Sequence, residues 1–322
     1  MRVPEVIERF FAARRPRKES VHTTAAYRRD LETISSRVAE ARGVDVSDLE
    51  LTDLDRDALR GAFGTYADDH AAATVLRTWS AWNQLFTFAV AEGIETGNPM
   101  AAVARPRRPP RRPKPLQGED TPEQLLERMA GGAEPGTRRR YWPERDLAIL
   151  ALALVTGLRS AEILSLDLSS LVGRPGERRI HVVGKGGKSR SVPVEDSLED
   201  VLDGYLRSRR TRFPTERPGR EGALFVDFAG EPLRRGGLQY LVRSAYRGAG
   251  LNDRVPVGAN VHALRHTFAT RLAEDGATAS EIMTLLGHAS IATSQGYIDA
   301  TTREQRAAAA ANRTYRVLDR LR

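Results

Sequence analysis

Apolar positions recur at helical spacing through most of the first hundred residues. The spacing predicts helices over Thr23–Ala41, Asp55–Asp68 and His70–Glu92, the last ended by "GIETGNP" with Gly93, Gly97 and Pro99. Trp79, Trp82, Phe86 and Phe88 in the third helix read as core and packing residues. A second helical series opens at Thr121-Pro122-Glu123, where Pro is tolerated in a first turn, and Trp142–Thr156 supplies an apolar helix. It resumes over Asp200–Arg212, Arg234–Ala249, Val261–Glu274, Thr278–Leu286 and Arg303–Leu318. Between them, "RRIHVVGKGGKSRSVPV" sets two β-branched runs around a Gly-Lys-Gly-Gly-Lys turn, a hairpin pattern with Lys185 at its tip. The expected fold is mainly α, with an N-terminal helical domain and a larger, mostly helical C-terminal domain that carries one small antiparallel β-sheet.

The two series are separated by "RPRRPPRRPKP", Arg105 to Pro115, which holds six basic residues and no acid. Its prolines disfavour helix and favour extended backbone, so it reads as an interdomain linker. The expected division is residues 1–104, a linker at 105–116, and residues 117–322. Arg105, Arg107, Arg108, Arg111, Arg112 and Lys114 make this segment either a solvated run or a strap along phosphates.

A length of 322 residues suits two domains, and a formal net charge of +8 favours a polyanionic partner only weakly, because arginine also forms ordinary surface ion pairs. The absence of cysteine removes disulfides and thiolate metal sites and fits a reducing compartment. Leu147 to Val155, the longest apolar run, is too short to span a bilayer, and "MRVPEVIERFF" lacks a secretory apolar region. A cytoplasmic, nucleoid-associated protein with no membrane partner is the expectation.

The chemistry concentrates in "VHALRHTFATRLAEDGATASEIMTLLGHASIATSQGYID". On a helix, Val261, Leu264, Phe268 and Leu272 form an apolar stripe, and His262, Arg265 and His266 fall on the adjoining face. Thr278 with Glu281 three residues on is a capping box, and Gly287 suits a left-handed helix end that delivers His288. Ser290 suits the cap of a short helix carrying Tyr297. This spacing offers a phosphate two kinds of donor and one nucleophile.

"HALRH" and "LLGHASIATSQGY", with "TGLRSAEILSLDL" and "VVGKGGKSRSVPV" upstream, resemble the motif set of the tyrosine recombinases, the phage-integrase and Xer-type family. The match runs from about Arg159 to Tyr297. The resemblance implies Tyr297 as nucleophile, supported by Arg159, Lys185, His262, Arg265 and His288. It also implies an N-terminal core-binding, SAM-like domain, to which "TTAAYRRDLETI" and "WNQLFTFAVAEGIETGNPM" are similar. Ala161 stands where a serine often precedes the family's glutamate, here Glu162, and Asp299 where a histidine often follows the tyrosine.

Each task in attacking a phosphodiester then has a candidate. Arg159 and Arg265 suit the phosphate because a planar guanidinium donates two parallel bonds and stays charged. Lys185 suits the general acid, His262 the general base for a phenol of ordinary pKa near ~10, and His288 a donor to a non-bridging oxygen. Lys188 and Arg190 are phosphate-contact candidates, and His266 reads as structural. Neither a metal nor a nucleotide cofactor is called for. His262 and His266 have zinc-pair spacing, but "ALR" between them has no glutamate and brings Arg265, and "GKGGK" lacks P-loop spacing. Tyr315, the rival nucleophile near the C-terminus, has no preceding Gly-His.

The family further implies double-stranded DNA core sites as partner, with no small-molecule substrate. Four protomers, homo- or heterotypic, exchange strands through a Holliday junction, and "REQRAAAAANRTYRVLDRLR" serves as a docking helix. The short stretch before Val21 leaves little room for an arm-binding domain, favouring a recombinase that needs core sites alone. The competing readings are a type IB topoisomerase-like relaxing enzyme and a non-catalytic DNA-binding regulator on the same scaffold.

Overall fold

The computed structural model describes residues 1–17, 21–107, 113–131, 142–184, 187–214, 219, 222–288 and 290–301. The chain divides into two compact units, residues 1–110 and 111–322. The predicted helix at Arg303–Leu318 lies outside the described residues.

The first unit is helical: α1 (Val3–Arg14), α2 (Val21–Arg42), α3 (Arg56–Asp69) and α4 (Ala72–Ala91). Periodicity found the last three. The first escaped it although Val3, Val6, Ile7 and Phe10 line one buried face at helical spacing. Asp55 caps α3, its carboxylate accepting from the Asp57 and Ala58 N–H groups. Trp82 and Phe86 are fully buried beside Leu31, Ile34 and Leu85, whereas Trp79 is half-buried and donates its indole N–H to the Val103 carbonyl at 3.0 Å. Phe88 meets Phe10 edge-on with centroids 5.7 Å apart. Beneath them the buried Asp30 carboxylate accepts two bonds from Arg77, at 2.7 and 2.8 Å, which offset its desolvation.

The second unit contains α5 (Thr121–Ala130), α6 (Pro143–Thr156), α7 (Ser160–Ser165), β1 (Leu171–Val172), β2 (Arg179–Val183), β3 (Ser189–Pro193), α8 (Asp196–Arg212), α9 (Arg235–Gly248), α10 (Asn260–Glu274), α11 (Ala279–Leu286) and α12 (Ile291–Ile298). The strands form an antiparallel sheet in the order β1-β2-β3, with Ile180 opposite Val192 and Val183 opposite Ser189 across the hairpin. Ile180, Val182 and Val192 face the core, as the alternation required. The fold is therefore mainly α with one small antiparallel sheet. α8 begins at Asp196, earlier than the apolar period suggested, because Asp196 and Glu199 place negative charge in the first turn where the helix dipole favours it.

α6 is apolar on nearly every side and is the central helix of this unit, packed by α5, α8 and α10. It stops at Gly157, whose φ of 60° is left-handed and whose absent side chain matters twice over. A Cβ there would stand 2.3 Å from Phe268 on α10 and 2.6 Å from Leu286 on α11. Glycine thus lets three helices close together directly before Arg159. Among the described residues no helix is long and apolar enough to cross a membrane.

Candidate active site

The C-terminal end of α11 organises the site. A helix end leaves carbonyls without intrahelical partners, and here arginines from three other elements satisfy them. Arg190 on β3 donates from Nε to the Leu285 carbonyl at 2.9 Å. Arg265 on α10 donates to the Leu286 carbonyl at 2.8 Å and to the Gly157 carbonyl at 2.5 Å. Arg159, preceding α7, lies 3.4 Å from the Leu286 carbonyl and 3.3 Å from that of Gly287. The negative end of the helix dipole favours this gathering of cations. Gly287 takes the left-handed conformation that its motif predicted, with φ of 61°, and the Thr278–Glu281 capping box forms at the other end of α11.

One carboxylate holds the arginines in register. Glu162 Oε1 accepts from Arg159 at 2.9 Å and from Arg190 at 3.0 Å, while Oε2 accepts from Arg190 at 2.9 Å and from the Arg159 backbone N–H at 2.8 Å. Burial pushes this carboxyl upward, but the hydrogen bonds from Arg190 and the Arg159 N–H, with the adjacent positive charge, outweigh it and hold its pKa at about 2. Three guanidiniums against one carboxylate leave the cluster two positive charges in excess. Burial, then the field of Arg159, lowers Arg265 to about 10. An anion entering here would relieve that repulsion.

Tyr297 on α12 is 4 % exposed, and Arg265 and Arg159 both act on its hydroxyl electrostatically. Burial raises the phenol above its ordinary pKa and the two arginines partly oppose the rise. Its ring stacks on His288 with centroids 6.0 Å apart and planes at 8°. His288 Nδ1 lies 2.8 Å from the hydroxyl of buried Ser294, a partner the motif reading did not single out. Burial, followed by Arg265 and Arg159, lowers His288 to about 4.

Thus Arg159, Arg265, His288 and Tyr297 come together, and His262 stands beside them at the solvent edge, its pKa lowered by the partial desolvation its neighbours impose and by Arg265 and Arg159. The geometry departs from the sequence reading at the phenolic proton. The imidazole nitrogen that meets the Tyr297 hydroxyl is His266 Nδ1, at 2.8 Å, and His262 packs edge-on against His266 with centroids 4.8 Å apart. His266, read as structural, is the ring that touches the hydroxyl of the candidate nucleophile. Its i, i+4 relation to His262 carried no mark of this, because the outcome depends on how α12 crosses α10. Ser290, expected to cap α12, stands at its N-cap position without a side-chain cap bond.

Lys185 lies outside the described residues, as do Arg108, Arg111 and Arg112. A Cβ on Gly184, immediately before Lys185, would lie 3.5 Å from Glu162 Oε1, so the chain enters the hairpin turn at the arginine cluster. Arg190 is not a free phosphate contact as expected: its side chain is 12 % exposed and is held by Glu162 and Leu285. Lys188 is exposed, Arg107 is exposed, and Lys114 is exposed with its ammonium 3.4 Å from the Val257 carbonyl. Arg105 sits over the Trp79 ring at 5.5 Å, a cation–π contact within the first unit.

The ordered motifs, the all-helical first unit and this arginine-rich site with a tyrosine inside it agree with what known proteins share with the chain. It belongs to the phage integrase family of tyrosine recombinases: residues 123–304 match the phage integrase family and residues 7–93 match the phage integrase N-terminal SAM-like domain. It is 36 % identical over 284 residues to tyrosine recombinase XerC of Erythrobacter litoralis (strain HTCC2594), covering 87 % of this chain and 82 % of the relative. It is 33 % identical to tyrosine recombinase XerD of Ralstonia nicotianae (strain ATCC BAA-1114 / GMI1000), with 86 % and 83 % covered. In fold it resembles the XerH site-specific recombinase in a post-cleavage complex with palindromic difH substrate, at a TM-score of 0.73 and 22 % identity over 92 % of this chain and 81 % of the other. It also resembles a lambda integrase tetramer bound to a Holliday junction, at a TM-score of 0.67 and 21 % identity over 93 % and 78 %.

Proposed function

We propose that this chain is a site-specific recombinase that cuts and rejoins duplex DNA through a 3′-phosphotyrosine at Tyr297. That it is a DNA recombinase enzyme follows from its family and from curated relatives named tyrosine recombinases. The observation that carries the finer reading is the gathering of Tyr297, Arg159 and Arg265 around one helix end with an excess of positive charge.

A scissile phosphate entering the cluster takes bonds from Arg159 and Arg265, whose forks match its non-bridging oxygens and stabilise the charge that builds in the transition state. The Ser294 hydroxyl, donating to Nδ1 of His288, leaves Nε2 protonated and able to donate to the same phosphate. His262, at the exposed side of the cluster, adds a further donor. Lys185 protonates the departing 5′ oxygen. The phosphotyrosine bond conserves the energy of the broken diester, so a 5′ hydroxyl can reseal the strand with neither metal nor nucleotide.

Residues 1–104 form the core-binding domain in this reading, and the basic segment 105–116 joins it to the catalytic unit along the DNA backbone. Four protomers on two core sites exchange strands in turn through a Holliday junction, as the lambda integrase neighbour's tetramer on such a junction suggests. A duplex nicked beside the scissile phosphate tests the chemistry. It should trap a covalent protein–DNA adduct with the native chain and none with Tyr297→Phe; an adduct surviving that substitution overturns the assignment.

A further inference from the structure

We propose that His266 is a catalytic residue, the acceptor of the Tyr297 proton during strand cleavage. The inference rests on the reading of Tyr297 as nucleophile and assigns the one proton transfer that reading leaves open. Three observations carry it. The Tyr297 hydroxyl meets His266 Nδ1 at 2.8 Å, a direct bond to the reacting atom. The phenol is 4 % exposed, so bulk water does not substitute for the imidazole. With Nδ1 accepting from the phenol, the ring's proton resides on Nε2, the neutral form that a base requires.

The arrangement also keeps the nucleophile protonated until substrate arrives. Among the described residues, the charged and titratable groups facing His266 are His262 and Arg265 on its own helix, Tyr297 on α12, His288 between α11 and α12, and Lys114 ahead of α5. Burial, then His262, Arg265 and Lys114, lowers its pKa to about 4, so it remains neutral and Tyr297 keeps its proton. A phosphate between Arg159 and Arg265 brings a negative charge into the field that opposes the imidazolium. The base strengthens when the electrophile arrives.

The step balances. The Tyr297 O–H bond breaks, its proton passes to Nδ1 of His266, and the phenolic oxygen bonds to phosphorus. The bond from phosphorus to the 5′ oxygen breaks, and that oxygen takes a proton from the Lys185 ammonium. Charge is conserved, and rejoining runs both transfers backward.

The test follows single-turnover adduct formation on the nicked duplex across pH. Adduct from the native chain and none from Tyr297→Phe secures the nucleophile; failure there removes both readings, whereas success there with failure below removes the role of His266 alone. His266→Gln keeps an acceptor of similar size that does not take the proton. It should cut about 100-fold more slowly near neutral pH, with a rate climbing about tenfold per pH unit as the phenol ionises unaided. A rate within about threefold of native with an unchanged profile would overturn the proposal, as would a loss independent of pH. Should His266→Gln not fold, 3-fluorotyrosine at position 297 decides the question. The acid limb of the native profile stays in place if it belongs to His266, and its displacement along with the phenol's own acidity overturns the assignment.

Discussion

The guanidinium of Arg190 meets the carboxylate of Glu162 in a parallel two-bond pair, Nη1 to Oε1 at 3.0 Å and Nη2 to Oε2 at 2.9 Å, while its Nε closes the end of α11 through Leu285. β3, the α7 turn and α11 are thereby fixed to one another around Arg159. Arg190→Ala leaves a buried carboxylate short of its main partner and should destabilise the catalytic unit by about 3 kcal/mol, measured by urea denaturation. Arg190→Lys keeps the charge without the fork and should recover only part of that stability, with adduct formation slowed in both variants.

The same carboxylate predicts an acid limit. Glu162 in the folded protein sits at about 2, below an ordinary glutamate, so folding favours its ionised form. Its contribution to stability is complete above the unfolded carboxyl's pKa of about 4.3 and is lost progressively as the pH falls toward about 2. Thermal melting followed over that window should show a decline that Glu162→Gln, itself less stable at neutral pH, no longer shows. An unchanged acid slope in the variant would assign the loss to other groups.

Gly157→Ala should be among the most damaging single-methyl changes in the chain. It adds a Cβ 2.3 Å from Phe268 at a left-handed residue. Steric overlap and backbone strain together cost roughly 2–4 kcal/mol. Calorimetry should show the melting temperature of the catalytic unit lowered by roughly 5 °C or more. Because the Gly157 carbonyl also receives Arg265, cleavage should fall even at temperatures where the variant remains folded.

Arg265→Lys should abolish adduct formation rather than weaken it. Arg265 is 3 % exposed, and its two terminal nitrogens bridge the Gly157 and Leu286 carbonyls while the positive charge remains in the site. A lysine ammonium has one nitrogen and does not span both carbonyls in one geometry. The nicked-duplex assay with Arg265→Lys should yield less than about a hundredth of the native rate, and a rate near native would show that the fork is dispensable.

Local order was written in the sequence wherever a structural device is short-range. The Thr278–Glu281 box, the left-handed Gly287, the β2–β3 hairpin and the apolar α6 each depend on residues within a few positions of one another, and each could be read directly. The motifs that nominate Arg159, Arg265, His288 and Tyr297 are equally short, and the folded chain brings those four side chains together. Tertiary packing decided what each side chain does. Arg265, read from periodicity as part of a presenting face of α10, is covered by its neighbours while His262 on the same face stays exposed, since α6, α9, α11 and α12 all pack against that helix. Arg190 left the surface because Glu162, 28 positions away in sequence, and the Leu285 carbonyl, 95 away, converge on it. His266 rather than His262 reached the phenol because Tyr297 arrives from 31 positions further along at an angle that no local pattern encodes. Hydrogen bonds and charges act over a few ångströms, and only the folded chain sets which distant residues come within that range.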